Sequence, residues 1–334
     1  MRGFCWVWIG VLWGCTSPAS QYRVYDARHD VFRDVEIPTL EDPRRLIGTY
    51  ARGIKGGYIS PKQGLRPGMA LDIRFSVVDG VNVAADQDGM YLWAAYDQIE
   101  NTIGELDDLG VDTSLFHPFQ IAYAPALSED STFISNAFWI CNVGTEEGPG
   151  TMGVLPQGDP AGPAFVTHPG VVRHEFGHNI FGSLFGGTYA GCTPYGNDLR
   201  AANEGFSDLV AATTTDDAAW NTPVLEERGL DLDHVQTESM KDSDALIYEY
   251  GSVLAAYGWD LRRLSTSEDV LRFAMDAVSE MGRLPADAEY SAPPWMGAYI
   301  LTRVVEAYPE ARDEGCTQFG VRFPLEPAPG VCAS

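Results

Sequence analysis

Basic residues are scarce in this chain of 334 residues. Lysine and arginine together number 22, whereas aspartate and glutamate number 47, so the formal charge is −25 at pH 7. Such an excess of negative charge repels phosphate backbones and argues against nucleic acid as a partner. Solubility is the simpler interpretation of the acidic surface.

Internal repeats and low-complexity segments are also missing. Hydrophobic residues make up 45% of the chain and charged residues 21%, which is an ordinary globular composition. The length suffices for one bilobal unit or for two domains with cores of their own.

No apolar segment is long enough to cross a bilayer. The amino terminus has one positive charge and then a short apolar run, as in an export signal. Leu12-Trp13-Gly14-Cys15 resembles a bacterial lipobox, with Trp13 in place of the usual small residue. The resemblance implies a signal peptide over residues 1–14, lipidation of Cys15 and an exported lipoprotein anchored in the bacterial envelope. Ordinary secretion and an uncleaved anchor are the alternatives.

Cysteines are few, and no C-x-x-C pair exists, which argues against zinc binding by thiolates. Once residues 1–14 are removed and Cys15 is set aside, four cysteines remain, which suits two disulfides outside the cytoplasm. Four cysteines allow three pairings. Proximity in sequence favours Cys316 with Cys332 and Cys141 with Cys192.

The order of patterns along the chain predicts an α+β fold. Residues 15–89 have alternating apolar positions and many breaks, which indicates strands. Residues 90–170 contain an amphipathic helix and two strands, and residues 171–334 are mainly helical. We expect a β-rich amino-terminal lobe and a helical carboxyl-terminal lobe that close on a cleft. The expected later helices cover residues 171–185, 199–214, 245–264, 267–281 and 295–308.

The chemistry is indicated by His174-Glu175-Phe176-Gly177-His178. Two histidines four residues apart lie about 40° from each other on a helix, so both rings can hold one metal ion. Glu175 lies between them and can reach over the metal without binding it. That is the position of a general base that takes a proton from a metal-activated water.

A hydrolytic zinc site needs a third protein ligand, and histidine, histidine and glutamate form a recognised set. Glu204 follows His178 by 26 residues within Asn203-Glu204-Gly205-Phe206-Ser207-Asp208. Asp208 lies one turn further along the same predicted helix, where its carboxylate can orient His174. We therefore expect one Zn²⁺ held by His174, His178 and Glu204.

These two motifs together resemble the gluzincin metallopeptidases, particularly the thermolysin and fungalysin group. The resemblance implies a bilobal fold with the zinc site in the cleft and endopeptidase activity on peptide or protein substrates. Upstream, Ser135-Asn136-Ala137-Phe138-Trp139 is similar to the edge strand by which these enzymes hold the substrate backbone. By this analogy Asn136 and Ala137 contact the substrate.

The group also places a histidine near the scissile carbonyl, but the matching stretch here, Ile247-Tyr248-Glu249-Tyr250-Gly251, has none. Tyr248 occupies the corresponding position, and a tyrosine hydroxyl can donate to an oxyanion. Tyr250 and His234 are the competing candidates.

Two other functions stay open at this point. One is a zinc aminopeptidase, although no carboxylate stands beside Asn136 and Ala137 to hold a free amine. The other is a non-catalytic cell-surface protein that contains zinc and binds peptides, which the missing histidine suggests.

Overall fold

A computed structural model describes residues 21–60, 64–66, 68–125, 136–140, 150–155, 165–186, 196–220, 228–240, 243–285 and 290–333. The expected signal peptide, the lipidation of Cys15 and the pairing of Cys141 with Cys192 lie outside the described residues. Among the residues described, no helix is long and apolar enough to span a membrane.

Strands dominate the first part of the chain. In chain order the described strands are β1 (Gln21–Asp26), β2 (Val31–Glu36), β3 (Leu40–Asp42), β4 (Ile47–Gly48), β5 (Ala51–Lys55), β6 (Tyr58–Ser60), β7 (Gly64–Arg66), β8 (Met69–Ala70), β9 (Phe75–Val78), β10 (Val81–Ala84), β11 (Phe119–Tyr123), β12 (Asn136–Ile140) and β13 (Thr151–Leu155).

Most strands belong to two sheets. The first has four strands in the order β2-β1-β10-β9, and Tyr22 and Val24 on β1 are buried. The second has the order β12-β13-β11-β5-β4-β3, with β8 also paired to β5. In this second sheet β11 runs parallel to β5 and β13, whereas β12 pairs antiparallel with β13. Among the strands that the structure describes, β12 is therefore the last one on its side of the sheet.

Helices dominate the rest of the chain. They are α1 (Gln87–Asp108), α2 (Pro169–Gly186), α3 (Asn197–Thr215), α4 (Ile247–Leu261), α5 (Ser267–Met281), α6 (Ala292–Ala307) and α7 (Arg312–Arg322). The five helices expected after residue 170 are confirmed, and their ends differ from the expected ones by at most three residues. The α+β fold with β-rich and helical parts is confirmed as well.

Local chemistry explains where several helices begin. The side chain of Asp86 accepts a hydrogen bond from the backbone N–H of Gly89, at 3.0 Å, and so caps α1. Thr266 caps α5 in the same manner through the N–H of Asp269, also at 3.0 Å. Pro169 is the first residue of α2, where its missing N–H would have no partner within the helix.

Helix α3 packs between α2 and α4 in the centre of the helical part. Glycines permit the close approach on both sides. A Cβ at Gly177 of α2 would lie 2.8 Å from the Cα of Ser207, and a Cβ at Gly205 would lie 2.4 Å from the carbonyl oxygen of Gly251. Both distances are far below van der Waals contact, so the separation of these helices depends on the absence of side chains.

The expected disulfide between Cys316 and Cys332 is present. It joins α7 to the end of the chain across 16 residues. The link fixes the carboxyl-terminal segment beside the helices that pack on α7, namely α4 and α6.

Candidate metal centre

Two neighbouring helices carry the residues of the predicted metal site. His174 and Glu175 on α2 are buried, and His178 follows one turn later. Glu204 lies on α3, which packs directly against α2. Phe176 faces away from this helix pair and stacks on Phe119 of β11 with ring centroids 5.5 Å apart, so α2 is also fixed against the second sheet.

The three expected ligands converge on one point. The two Nε2 atoms of His174 and His178 lie 3.1 Å apart. Nε2 of His174 is 3.5 Å from Oε2 of Glu204, and Nε2 of His178 is 3.7 Å from Oε1 of the same carboxylate. Tetrahedral ligands about 2 Å from zinc are themselves about 3.3 Å apart. These donor separations therefore match a single small ion.

The outward-facing nitrogen of each histidine has a partner on α3. Nδ1 of His174 lies 2.9 Å from Oδ1 of Asp208, as the sequence predicts. Nδ1 of His178 lies 3.0 Å from Oδ1 of Asn203 and 3.0 Å from Oγ of Ser207. Acceptors at Nδ1 hold the proton on that nitrogen and leave Nε2 free for a metal.

Glu175 is 7% exposed, and its Oε2 atom is buried without a hydrogen-bond partner among the described residues. Burial raises the pKa of this carboxyl, although the nearby rings of His174 and His178 oppose the rise. A carboxyl whose pKa is raised toward neutrality suits proton transfer. An unpaired buried oxygen is also costly unless water or a ligand contacts it.

Arg228 belongs to the site, and sequence reasoning missed it. Its Nε and Nη2 atoms donate to the two oxygens of Asp208 at 3.2 and 2.5 Å, and Nη2 also donates to Oε2 of Glu204 at 3.1 Å. Burial opposes the charge of Arg228, but the two carboxylates hold its pKa above the usual range. Arg228 thus contacts Glu204, which is an expected metal ligand, and Asp208, which contacts the expected ligand His174.

Neighbouring charges also shift the pKa values of the expected ligands His174 and Glu204. Burial lowers the pKa of His174, but hydrogen bonds to Asp208 and Glu204 outweigh it and raise the pKa to about 9. Burial works against the charge of Glu204, yet His178, His174 and Arg228 keep its pKa well below the usual range. Glu204 is therefore a carboxylate over the whole neutral pH range.

Trp220 is a second residue that sequence reasoning missed. Its ring stacks on the imidazole of His174 with centroids 5.2 Å apart and an interplanar angle of 6°. The guanidinium of Arg228 lies 5.8 Å from the centroid of the same indole. Trp220 is buried, so it fills the space behind His174 and excludes water from that face.

The three oxyanion candidates have different surroundings. Tyr248 is 52% exposed, and its ring centroid lies 5.0 Å from the guanidinium carbon of Arg228. The charge of Glu204, followed by burial, raises its pKa. Tyr250 is fully buried and hydrogen-bonds Ser291 and Gln236.

His234 has an acceptor of its own, because its Nε2 atom lies 2.8 Å from the carbonyl oxygen of Gly229. Among the contacts of the described residues, Tyr248 is the candidate that lies against a residue of the metal centre, Arg228.

Strand β12 carries the two residues that the sequence proposes as substrate contacts. Among the described strands it is the outermost of its sheet, it runs antiparallel to β13, and it packs against α2. Asn136 pairs with Leu155 and Ala137 with Val154. The side chain of Asn136 lies outside the described residues, so the structure places its backbone only.

The residues present fit a divalent metal. The inward donor atoms of His174, His178 and Glu204 all lie within 4.8 Å of one another, and two of the donors are imidazole nitrogens. Glu175, Glu204 and Asp208 contribute three negative charges in a buried volume. Arg228 balances one of them, and the raised pKa of His174 lets its ring balance another in the metal-free site. A divalent cation that displaced the proton from His174 would balance the remaining two. Zinc is the ion that this donor set favours.

Comparison with known proteins supports the fold. The sequence matches no protein-family model and no curated protein. Among solved structures, the chain is similar to the precursor of protealysin, a metalloproteinase from Serratia proteamaculans. The TM-score is 0.54 at 14% sequence identity, over 90% of this chain and 87% of that one. The chain therefore has the α+β fold of thermolysin-like metalloproteinases, with a His-His-Glu group suited to a metal ion.

Proposed function

We propose that this protein is a zinc-dependent endopeptidase. The convergence of His174, His178 and Glu204 on one point, with the buried carboxyl of Glu175 beside them, carries the proposal. The similarity to a metalloproteinase precursor supports it at the level of the fold. One Zn²⁺ in this site would supply Lewis-acid activation of water and of a peptide carbonyl.

The residues of the chain divide the remaining work. Glu175 accepts a proton from the attacking water and later delivers it to the leaving amine. Asp208 keeps His174 in the required tautomer, and Asn203 with Ser207 does the same for His178. Tyr248 donates its hydroxyl hydrogen to the oxygen on which negative charge develops.

Substrate binding would use β12, the outermost strand of the second sheet among the strands described. An extended peptide can add to an exposed strand edge through backbone hydrogen bonds, and β12 is next to α2. Asn136 and Ala137 are the proposed contacts. The binding of an extended segment in this manner favours cleavage within a chain.

The test compares the zinc-loaded protein with its Glu175→Gln variant on an unfolded protein and on a peptide library. We expect cleavage by the first and a loss of at least about 100-fold in the second, since general-base catalysis contributes about 10²–10⁴. Zinc content should be equal, because Glu175 is not a proposed ligand. If neither protein cleaves while both bind zinc, the non-catalytic peptide-binding function is correct instead.

The same assay distinguishes an aminopeptidase from an endopeptidase. An aminopeptidase needs a free amino terminus on its substrate, whereas strand addition at β12 does not. Acetylated and free forms of one peptide should therefore be cleaved at the same internal bond and at similar rates. Cleavage of the free form alone would assign the protein to the aminopeptidases.

We further propose that Cys15 is lipidated and that the protein is exported to the bacterial envelope. The lipobox-like Leu12-Trp13-Gly14-Cys15 supports this proposal. Metabolic labelling with a palmitate analogue should mark the wild-type protein and leave Cys15→Ser unlabelled. Extraction of the wild type without detergent would contradict membrane anchoring.

A further inference from the structure

Arg228 reaches the metal centre from a stretch of chain that lies outside the α-helices and strands. Residues 228–236, here called the arginine segment, lie between α3 and α4. Both ends of the segment are buried, whereas residues 231–233 are exposed. Backbone groups in such a segment are not paired by a regular helix or sheet, so its position depends on contacts with other elements.

Two contacts fix the part of the arginine segment nearest to Arg228. The backbone N–H of Leu230, which is fully buried, donates to the carbonyl oxygen of Ala218 at 2.9 Å. Nε2 of His234 lies 2.8 Å from the carbonyl oxygen of Gly229. The far part of the segment is therefore joined to the residue that follows Arg228, so a displacement at His234 also moves the base of the Arg228 side chain.

The far part of the arginine segment is held by one buried residue of α7. Arg322 is the last residue of that helix and is 7% exposed. Its Nη1 atom donates to the carbonyl oxygens of Leu232 and His234, at 3.0 Å each. Its own carbonyl oxygen accepts from the N–H of Gln236 at 2.9 Å. Arg322 thus bonds backbone groups at three positions of the segment.

The same guanidinium contacts α4. Nε and Nη2 of Arg322 donate to Oδ2 of Asp260 at 3.0 and 2.9 Å. Asp260 lies near the end of α4, and Tyr248 lies at the beginning of the same helix. The ring centroid of Tyr248 is 5.0 Å from the guanidinium carbon of Arg228. Arg322 therefore connects the two elements whose contact brings Tyr248 and Arg228 together.

The contacts of Arg322 use the particular shape of its side chain. A guanidinium presents its N–H groups in fixed directions in one plane, so it can face a carboxylate on one side and carbonyl oxygens on another. The ammonium of a lysine is a compact charge that cannot reach both sets. Among the contacts of the described residues, none joins Arg322 to the three expected ligands. Its effect on the metal centre would therefore pass through the arginine segment.

We infer that Arg322 is a positioning residue of the metal centre. It holds the arginine segment so that Arg228 lies against Glu204, Asp208 and Tyr248. The expected effect on rate rests on the proposed endopeptidase function, whereas the effect on the segment does not. A displacement of about 1 Å at a reacting site can cost about 100-fold in rate, even when its origin is distant.

The first measurement is hydrogen exchange in the zinc-loaded protein, comparing Arg322→Met with Tyr257→Phe. The control removes the bond from Tyr257 to the carbonyl oxygen of Gly315 at 3.1 Å, which also joins α4 to α7 but does not touch the segment. In Arg322→Met we expect the amides of Leu230 and Gln236 to exchange at least about 10-fold faster relative to amides of α3. In Tyr257→Phe this ratio should stay within about 2-fold of the wild type.

The second measurement is a double-mutant cycle between Arg322→Met and Arg228→Lys, with kcat/KM on a peptide as the readout. Arg322→Met alone should lower kcat/KM by at least about 10-fold. When Arg228→Lys is already present, the further loss should be less than about 3-fold, because Arg322 acts through the residue already altered. Tyr257→Phe should change kcat/KM by less than about 2-fold in either background.

Additive losses in the cycle would overturn the inference, as would an unchanged kcat/KM in Arg322→Met. Equal acceleration of exchange in the segment and in α3 would overturn it too, since that result indicates a general loss of stability. If Arg322→Met does not fold, Arg322→Lys takes its place with the same expected directions. If the wild type cleaves neither a peptide nor an unfolded protein, the proposed function fails, and the exchange ratio still decides whether Arg322 holds the segment.

Discussion

Nη2 of Arg228 lies 3.1 Å from Oε2 of Glu204, so a buried cation contacts the carboxylate that faces both histidines. The same nitrogen donates to Oδ1 of Asp208, which in turn lies 2.9 Å from Nδ1 of His174. Arg228 is thereby connected to two of the three expected ligands. Arg228 therefore both orients the carboxylates of Glu204 and Asp208 and compensates their negative charge.

Replacing Arg228 with methionine leaves Glu204 and Asp208 without their shared cation. In the metal-free protein this should reduce the free energy of unfolding by about 3–5 kcal/mol, the usual cost of breaking a buried ion pair. Zinc should restore more stability in the variant than in the wild type, because the ion offsets the unpaired charge. Chemical denaturation with and without zinc measures both quantities.

Arg228→Lys is the matched control, since it keeps the positive charge and loses the bidentate hydrogen bonding to Asp208. Its stability should fall between those of the wild type and the methionine variant. A methionine variant as stable as the wild type would show that the ion pairs contribute nothing.

Asp208→Asn should weaken zinc binding by about 10- to 100-fold, because an amide has one acceptor oxygen and no charge, and it cannot serve His174 and both contacting nitrogens of Arg228. Competition with a chelator of known affinity gives the change. Ser207→Ala is a suitable control, since Asn203 still contacts Nδ1 of His178 at 3.0 Å. An equal loss in both variants would mean that Asp208 has no special role.

Tyr248→Phe and Tyr250→Phe each remove one hydroxyl group, with different expected results. If Tyr248 stabilises the oxyanion, its loss lowers kcat by about 10²–10³ with little change in KM or in stability. Tyr250 instead hydrogen-bonds Ser291 at 2.8 Å and Gln236 at 3.0 Å within the core.

The Tyr250→Phe substitution should therefore lower the free energy of unfolding by about 1–3 kcal/mol and leave kcat nearly unchanged. Steady-state kinetics and denaturation of both variants separate the two roles. An unchanged kcat in Tyr248→Phe would remove Tyr248 from the proposed mechanism.

Gly205→Ala should destabilise the protein by at least about 1–3 kcal/mol, because the new Cβ would overlap the carbonyl oxygen of Gly251. The same substitution at Gly104, an exposed position of α1 with no atom near the new Cβ, should stabilise by about 0.4–1 kcal/mol. The opposite signs distinguish helix packing from helix propensity. Thermal or chemical unfolding of the two variants provides the measurement.

Removal of the disulfide through Cys316→Ser with Cys332→Ser should lower the free energy of unfolding by about 2–4 kcal/mol. The bond closes a short loop at the end of the chain, so the effect should appear in stability and not in kcat. A large loss of kcat in the folded double variant would contradict this separation.

The sequence predicted the ligands because two motifs supply the residue types of a zinc site, and helical spacing places the residues of each motif on one helix face. His174 and His178 share a helix face, and Glu204 and Asp208 share another, so only the packing of α2 on α3 had to be added. The helices were predictable for the same reason, since their apolar residues repeat at regular intervals.

Arg228 and Trp220 could not be predicted in this way. They belong to connections between helices, where no periodicity tells which side chains are buried. An arginine is usually exposed, and only the placement of Asp208 and Glu204 shows why this one is not. The short strands before α1 were predictable as a β-rich region but not individually, because their pairing depends on partners distant in sequence.

The contact of Gly177 with Ser207 has a consequence for the evolution of such a protein. Glycine lets the backbones of α2 and α3 touch beside the ligands, so the distance between the ligands is set at the helix crossing. The chain that connects the two helices can then gain or lose residues without moving the metal-binding atoms. Changes in the surrounding loops can diversify what the protein recognises, while the chemical centre is inherited unchanged.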